Sequence, residues 1–542
     1  MIQELKKQVW YFINNKVYMI SLILAAIAGY GYEIIHSSMG IDDVCIEIYF
    51  EDGLGVAIGR WPFYLINKIF HLTDFSPFML ELVAVIFMVL AAILWSALIR
   101  YILPKELPVI CYIVFSAMFV DYSLIAEVFV YYLQNGIGII YCLTAISLYV
   151  FYYIQTKDWN WKQKVPAEAA MGVMMCIAIS FYESAANLFL FGVLLIMFLD
   201  GVGKQRMGVH KFVGCFYCAF LTVRVLIYAI LGRSIMTQIC MNLFDIKEYN
   251  YRSVSSMLWI FKYPARVLTM IRQIYRDYFV VGFEYYPIRL FVIATVIFVL
   301  AVIFYTIKKK NVYLLLIGGA AYVSLFALSI AQGEVVPYRA NQMLSVFVAA
   351  VLLAASYWIM KLRYTWIRGI GIVLVLSMVY NSAFDLNQWF AFEYKRNQLE
   401  IEEVHHIAYD LRSGYDIANK PVVFVGEYIL DEAIQKEYSL DATSPAYDTI
   451  CELNTWMGIE TPALYPYTQV LSYSFLNWSI TSFSVYEGYN REINRLFEKE
   501  GLSLIWGGNE LYQKGLELME DLNRYPVDGY IKEYDDFILV RF

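Results

Sequence analysis

Asp42 and Asp43 stand side by side where an apolar segment breaks off, in 39-MGIDDVCIEIYFEDGLGVAIGRWPFYLINKIF-70, and Arg60 follows in the same stretch. Successive residues of a helix or strand point in different directions, so only one of the two acids faces a given site. One ionised carboxylate is enough to take the proton from an acceptor hydroxyl as that oxygen attacks an anomeric carbon, the step of an inverting sugar transfer. The competing use is a helix cap, with Asp42 or Asp43 bonding the N–H groups near Val44–Glu47. The two uses coexist if one acid caps while the other acts. Arg60 opens an amphipathic run (Trp61, Phe63, Leu65, Ile66, Ile69, Phe70) suited to the headgroup plane. There its guanidinium either snorkels to lipid phosphate or holds the phosphate of a lipid-borne donor through paired N–H bonds. In the second role it would meet the charge that develops on a departing lipid phosphate, with no metal required.

Other polar positions fall at the ends of apolar runs. Glu183 lies at the tip of 180-SFYESAAN-187, where an acid at a membrane edge is either solvated or functional, and function is favoured. Asp121 and Glu127 bracket a short connection and read first as solvated loop acids, with Glu127 kept as a substrate-binding candidate. Arg339, in 332-QGEVVPYRANQ-342, is a lone cation among acidic and neutral neighbours, which suggests an anion partner. Arg252, Lys262, Arg266, Arg272 and Arg276 alternate with aromatics as in an amphipathic helix resting on anionic lipid. Histidine offers little: His36 and His71 flank the first loop, and none lies deep in an apolar run. Five cysteines (Cys111, Cys142, Cys176, Cys215, Cys218) fall in apolar runs as small hydrophobes. Cys45, Cys240 and Cys451 are scattered, so neither a disulfide framework nor a zinc site is indicated.

The elements that must position these residues follow from composition. A soluble chain carries about 25% charged residues. Here 16% are charged and 60% hydrophobic over 542 positions, which marks an integral membrane protein. The net charge of −7 argues against nucleic acid. A bilayer-crossing helix needs roughly 20 apolar residues. By that rule spans fall near 17–35, 78–99, 107–121, 128–154, 167–182, 185–200, 212–232, 288–307, 312–331, 340–360 and 369–386, about eleven in all. Charge within them is sparse, Arg224 being the main exception.

Alternate connections are rich in Lys and Arg: Lys6, Lys7 and Lys16; Arg100 and Lys105; Lys157, Lys162 and Lys164; Lys204, Arg206 and Lys211; Lys308, Lys309 and Lys310; Lys361, Arg363 and Arg368. The short connections between them carry almost none. That alternation predicts a cytoplasmic amino terminus and a tail outside after about Asp385. The expected organisation is a transmembrane domain over 1–386, with outer loops 36–77 and 233–286, and an extracytoplasmic domain over 387–542. The tail mixes strand-like runs (421-PVVFVGEYI, 502-LSLIWGG, 537-FILVRF) with a helical stretch near 508–523, which reads as a small α/β domain. The inner loops are too short for an ATP-binding domain, and 201-GVGK-204 lacks Walker spacing. Chemistry on the outer side needs a substrate that is already activated, and a lipid-borne donor meets that need.

The paired acid, the turn Gly59-Arg60-Trp61-Pro62, the sequence Pro337-Tyr338-Arg339 and the exit 385-DLNQWFAFEYKRNQLE-400 together resemble the type II serotype-converting O-antigen glucosyltransferase family of bacteria, within the GT-C class. The likeness covers most of the chain. It implies a mainly α, polytopic GT-C-like core in the bacterial plasma membrane, with a catalytic acid in the first outer loop. It further implies transfer of a hexose, typically glucose, from a polyprenyl-phosphate carrier to a cell-surface polysaccharide or lipid-linked glycan, with no cofactor. A donor-lipid synthase and a flippase are the expected protein partners. By position, Asp42 or Asp43 would be the base and Arg60 and Arg339 would lie near the donor phosphate. Two other classes compete: a flippase or transporter of lipid-linked sugars, which would need polar residues along a path through the spans, and a polysaccharide polymerase or ligase.

Overall fold

The structure is a computed structural model, and it describes residues 1–36, 38, 53–70, 77–103, 107–129, 136–246, 266–281, 287–333, 336, 338–426, 428, 493, 497, 498 and 500–542. Among these, ten helices are long and apolar enough to cross a membrane. They are α1 (Lys16–Ile35), α2 (Phe78–Ile102), α3 (Val109–Phe129), α4 (Ile137–Thr156), α5 (Trp161–Phe181), α6 (Ala185–Val202), α7 (Phe212–Phe244), α8 (Ile288–Lys309), α9 (Met343–Met360) and α10 (Thr365–Gly414). The span expected over 312–331 is present in two pieces, Val312–Ser324 and Ala327–Gln332. The break has a local cause. The Ser324 hydroxyl donates to the Ala321 carbonyl at 2.7 Å, and the next two N–H groups bond three residues back rather than four.

α3 and α4 are the most enclosed helices, while α7, α8 and α10 turn most of their apolar surface outward. Outward rows such as Phe216, Phe220, Val223 and Ile227 on α7 would be a liability in water and match lipid. With the same solvent outside and inside, association rests on close packing and buried hydrogen bonds between spans. The Tyr18 hydroxyl bonds Ser116 at 2.6 Å and Ser96 at 3.2 Å, joining α1 to α3 and α2. Tyr141 of α4 donates to the Gln342 carbonyl at 2.7 Å at the start of α9. Tyr30 of α1 donates to the Val120 carbonyl of α3, also at 2.7 Å.

Two helices outrun their expected ends. α7 continues past 232 because apolar residues recur at 235, 236, 239 and 240 with no proline to stop it. α10 runs unbroken across 386–387 to Gly414. Leu386, Trp389, Phe390, Glu393, Arg396, Glu400, Val404, Ile407, Ala408 and Leu411 keep one buried stripe going at helical spacing. The last four of these belong to a second core, with Val422, Phe424, Ile538 and Val540. That core sits on a three-stranded sheet of order β1-β3-β2, formed by β1 (Val422–Val425), β2 (Ile531–Glu533) and β3 (Ile538–Arg541). β1 and β3 are parallel, β2 and β3 antiparallel. Helix Gly508–Leu518 covers the face bearing Val423, Val425 and Leu539. The strand expected in 502–508 is reduced to a single bridge between Trp506 and Val422.

The basic connections gather at one end of the bundle. There the terminal amine lies 3.5 Å from the Tyr153 hydroxyl, Lys204 donates to the Tyr101 carbonyl at 2.6 Å, and Arg100 stacks 3.7 Å from the Tyr11 ring centre. The spans are less bare of charge than expected. Glu33 of α1 and Glu81 of α2 are fully buried, and Arg224 of α7 pairs with Glu168 of α5.

Candidate functional site

At the opposite end of the bundle, four connections bring charged side chains together. The first is the segment 53–60, which leads into the helix Trp61–Phe70. That helix lies against the bundle through Trp61 and Tyr64, with the Tyr64 ring 5.2 Å from that of Phe244 on α7. Proline at its second residue costs nothing, since the first turn's N–H groups have no partners within the helix. Arg60, just before it, has its backbone N–H tied to the Gly55 carbonyl at 2.7 Å.

The second connection is the hairpin between α5 and α6, which carries Tyr182 and Glu183. Arg60 Nη2 lies 3.7 Å from one Glu183 carboxylate oxygen, and Arg233 Nη2, from α7, lies 2.6 Å from the other. Glu183 keeps 42% side-chain exposure, so this corner of the bundle is open to its surroundings. Burial pushes its carboxyl up, but the Arg60 and Arg233 guanidiniums outweigh that and hold it below the usual carboxylate range. The Arg60 guanidinium lies 5.0 Å from the centre of the Tyr182 ring, a cation–π distance.

The third and fourth connections meet each other. Glu127, in the last turn of α3, is buried and accepts from Arg339 twice, from its backbone N–H at 3.1 Å and from its guanidinium. Arg339 sits in the short helix Tyr338–Ala340. The Tyr338 hydroxyl donates to the Asp277 carbonyl, and the Asn341 amide to the Tyr278 hydroxyl. The amphipathic segment Arg266–Tyr275, continued by a π-helical turn to Val281, is thus fastened to the Arg339 turn. Its buried residues Met270, Ile274 and Tyr278 face the bundle. Arg252 and Lys262 of the same basic run lie outside the described residues.

Tyr182 joins the two pairs. Burial pushes its phenol above the ordinary value, Arg339 and Arg60 pull it back, and Glu127 and Glu183 push it further up. One hydroxyl therefore lies within the field of both arginine–glutamate pairs.

Of the residues picked from sequence, Arg60, Glu183, Glu127 and Arg339 come together here. Asp42 and Asp43 lie outside the described residues. The chain enters their loop at His36, whose ring stacks 4.5 Å from Tyr32 and sits 5.1 Å from Tyr394 of α10. It returns at Gly53 against Ile246, just beyond α7. Asp121, read as a solvated loop acid, is instead buried at the end of the first part of α3. Its carbonyl accepts the Ser382 hydroxyl of α10 at 2.8 Å. Arg233 and Tyr182 went unremarked in the sequence. Arg233 looked like the first residue of a loop, and only its place on an extended α7 turns it toward Glu183. Tyr182 is one tyrosine of 47. Among the described residues, no group of three or more His, Cys, Asp or Glu is arranged to hold a metal ion.

These features define a multi-pass helical membrane protein with a cluster of arginine–glutamate pairs at one end of its bundle. A family model described as glucosyl transferase GtrII matches residues 31–356, and the chain belongs to that family. The match takes in the Asp42–Asp43 segment and every residue of the cluster, and it ends within α9. Neither the curated proteins nor the solved structures yielded a match. The chain is thus a glucosyltransferase of the membrane type.

Proposed function

We propose that this glucosyltransferase is a GT-C enzyme of the bacterial inner membrane, taking glucose from a polyprenyl-phosphate donor and passing it, with inversion, to a cell-surface or lipid-linked glycan. The observation that carries this reading is a pair of arginines at the same end of the bundle, Arg60 beside Glu183 and over the Tyr182 ring and Arg339 beside Glu127, with Arg60 on the segment that follows Asp42 and Asp43. Arginine suits a phosphate that must be held at a membrane surface, because its fork matches two phosphate oxygens and stays charged. Glu183 and Glu127 are the acidic partners of the two guanidiniums when no donor is bound.

In the reaction, an acceptor hydroxyl attacks the anomeric carbon from the face opposite the phosphate. Its proton passes to a carboxylate, Asp42 or Asp43, as the C–O bond to the phosphate breaks and the electron pair leaves with the phosphate oxygen. Arg60 and Arg339 meet the charge that grows there, and the mechanism calls on no metal. The basic connections, which cluster at the other end of the bundle, support a site on the outer side of the membrane.

The test is transfer in proteoliposomes from polyprenyl-phosphate glucose carrying a label. Asp42→Asn or Asp43→Asn should leave insertion intact and lower turnover by about 10²- to 10⁴-fold. Normal transfer by both variants would exclude the base. Passage of labelled lipid across the vesicle with no new glycosidic bond would instead identify a transporter, a role to which the buried Glu33 and Glu81 would be suited.

A further inference from the structure

Arg233 touches three parts of the cluster at once. Its Nη2 donates to Glu183 at 2.6 Å and to the Ile58 carbonyl at 2.7 Å, while its Nε reaches the Gly59 carbonyl at 3.4 Å. A planar guanidinium can do this because its donors are fixed in a fork; an ammonium offers a single point of charge.

The segment it grips is moulded on α7 at both ends. Gly53 has φ +73°, and a Cβ there would come within 2.5 Å of Ile246. Gly59 has φ +89°, and a Cβ there would come within 2.6 Å of Arg233 Nη2 itself. Left-handed backbone and the missing side chain let the chain settle onto the end of α7 at these two points. The next residue is Arg60.

The charges in this corner do not share equally. Glu183 is 2.6 Å from Arg233 but 3.7 Å from Arg60. Arg60 lies over Tyr182 and makes the longer of the two ion pairs with the acid.

We propose that Arg233 is a positioning residue for the donor: by engaging Glu183 and the carbonyls of Ile58 and Gly59, it keeps Arg60 against Tyr182 and turned to a lipid-borne phosphate. This rests on the reading of Arg60 as a donor-phosphate ligand. Without Arg233, Glu183 draws Arg60 from its present distance into a direct bond, and carboxylate and phosphate then compete for one guanidinium.

The experiment measures binding of polyprenyl phosphate, and KM and kcat with polyprenyl-phosphate glucose, for the full chain in nanodiscs. Arg233→Met should weaken lipid-phosphate binding and raise KM by about ten-fold or more while kcat changes little. Adding Glu183→Gln should restore most of the loss, because the competing charge is gone. That rescue also shows that Arg233→Met had not merely unfolded the protein. Arg60→Met should lose binding whichever residue occupies 233. If the double variant binds no better than Arg233→Met, or if Arg233→Met binds like the wild type, the positioning role is overturned while the donor reading stands. If the wild type binds no polyprenyl phosphate, or Arg60→Met binds as well as the wild type, the donor reading falls and takes this proposal with it.

Discussion

Arg339 meets Glu127 through two donors of one residue, its backbone N–H at 3.1 Å and its guanidinium, although 212 positions separate the two in the chain. The contact fastens the turn before α9 to the last turn of α3, and it fixes where a second cation stands in the cluster. Glu127 is 6% exposed and Arg339 28%, so the pair lies between a surface bridge and a buried one.

Arg339→Met removes a charged partner from the buried Glu127 carboxylate and should cost about 1–3 kcal/mol of stability. Arg339→Lys keeps the charge but not the fork, and should lower kcat/KM for the lipid donor by about ten-fold. Melting in detergent together with a transfer assay checks both. Unchanged melting and turnover in Arg339→Met would remove Arg339 from the site.

Glu183 makes stability depend on pH in one direction. Its carboxyl is held below the usual range in the folded protein, so the unfolded chain binds that proton more tightly. The contribution of the pairs is complete above the ordinary carboxylate value of about 4.3, and it is lost as pH falls through the depressed value. The melting difference between wild type and Glu183→Gln should be flat from neutral pH to mildly acid pH and shrink below that. A difference that grew in acid would contradict the pairing.

On α10, Arg396 lies buried between two acids, 3.0 Å from Glu393 and 3.1 Å from Glu400. Removing the cation takes a charged partner from each of two buried carboxylates. Arg396→Met should therefore destabilise by about 3–5 kcal/mol, with Arg396→Lys recovering part of that. Thermal unfolding of the full chain decides. A cost near that of an exposed surface pair would mean that water reaches these acids.

The proposed orientation is open to chemical labelling. In a cysteine-free background, Ser413→Cys, exposed at the end of α10, should react with a membrane-impermeant thiol reagent in intact cells. Lys308→Cys, exposed at the end of α8, should react only after the membrane is opened. The reverse pattern would put the cluster in the cytoplasm and end the proposed use of a donor on the outer side.

Much of the fold was legible because it is local. A run of apolar residues long enough to cross a bilayer must satisfy its own backbone, and helix is the form that does so within one segment. The terminal strands Val422–Val425 and Ile538–Arg541 and the helix Gly508–Leu518 were visible in the same way, as short apolar runs and a helical stripe. Helix ends were harder to read. α7 continues because apolar residues recur past its first apolar window, and α10 because polar helix formers extend a helix once one face of it is packed.

The amino-acid sequence by itself determined that this chain is a helical membrane protein, and it singled out Glu183, Glu127 and Arg339 as polar residues near span ends and Arg60 at the start of an amphipathic run. Those are properties of neighbouring residues and of their hydropathy. Only the tertiary structure decided that Glu183 answers to Arg233 and Arg60, that Glu127 answers to Arg339, and that Arg60 lies over Tyr182. Partners 50 to 212 positions apart are chosen by how helices pack, and packing depends on the shapes of whole helix faces rather than on the spacing of charges along the chain.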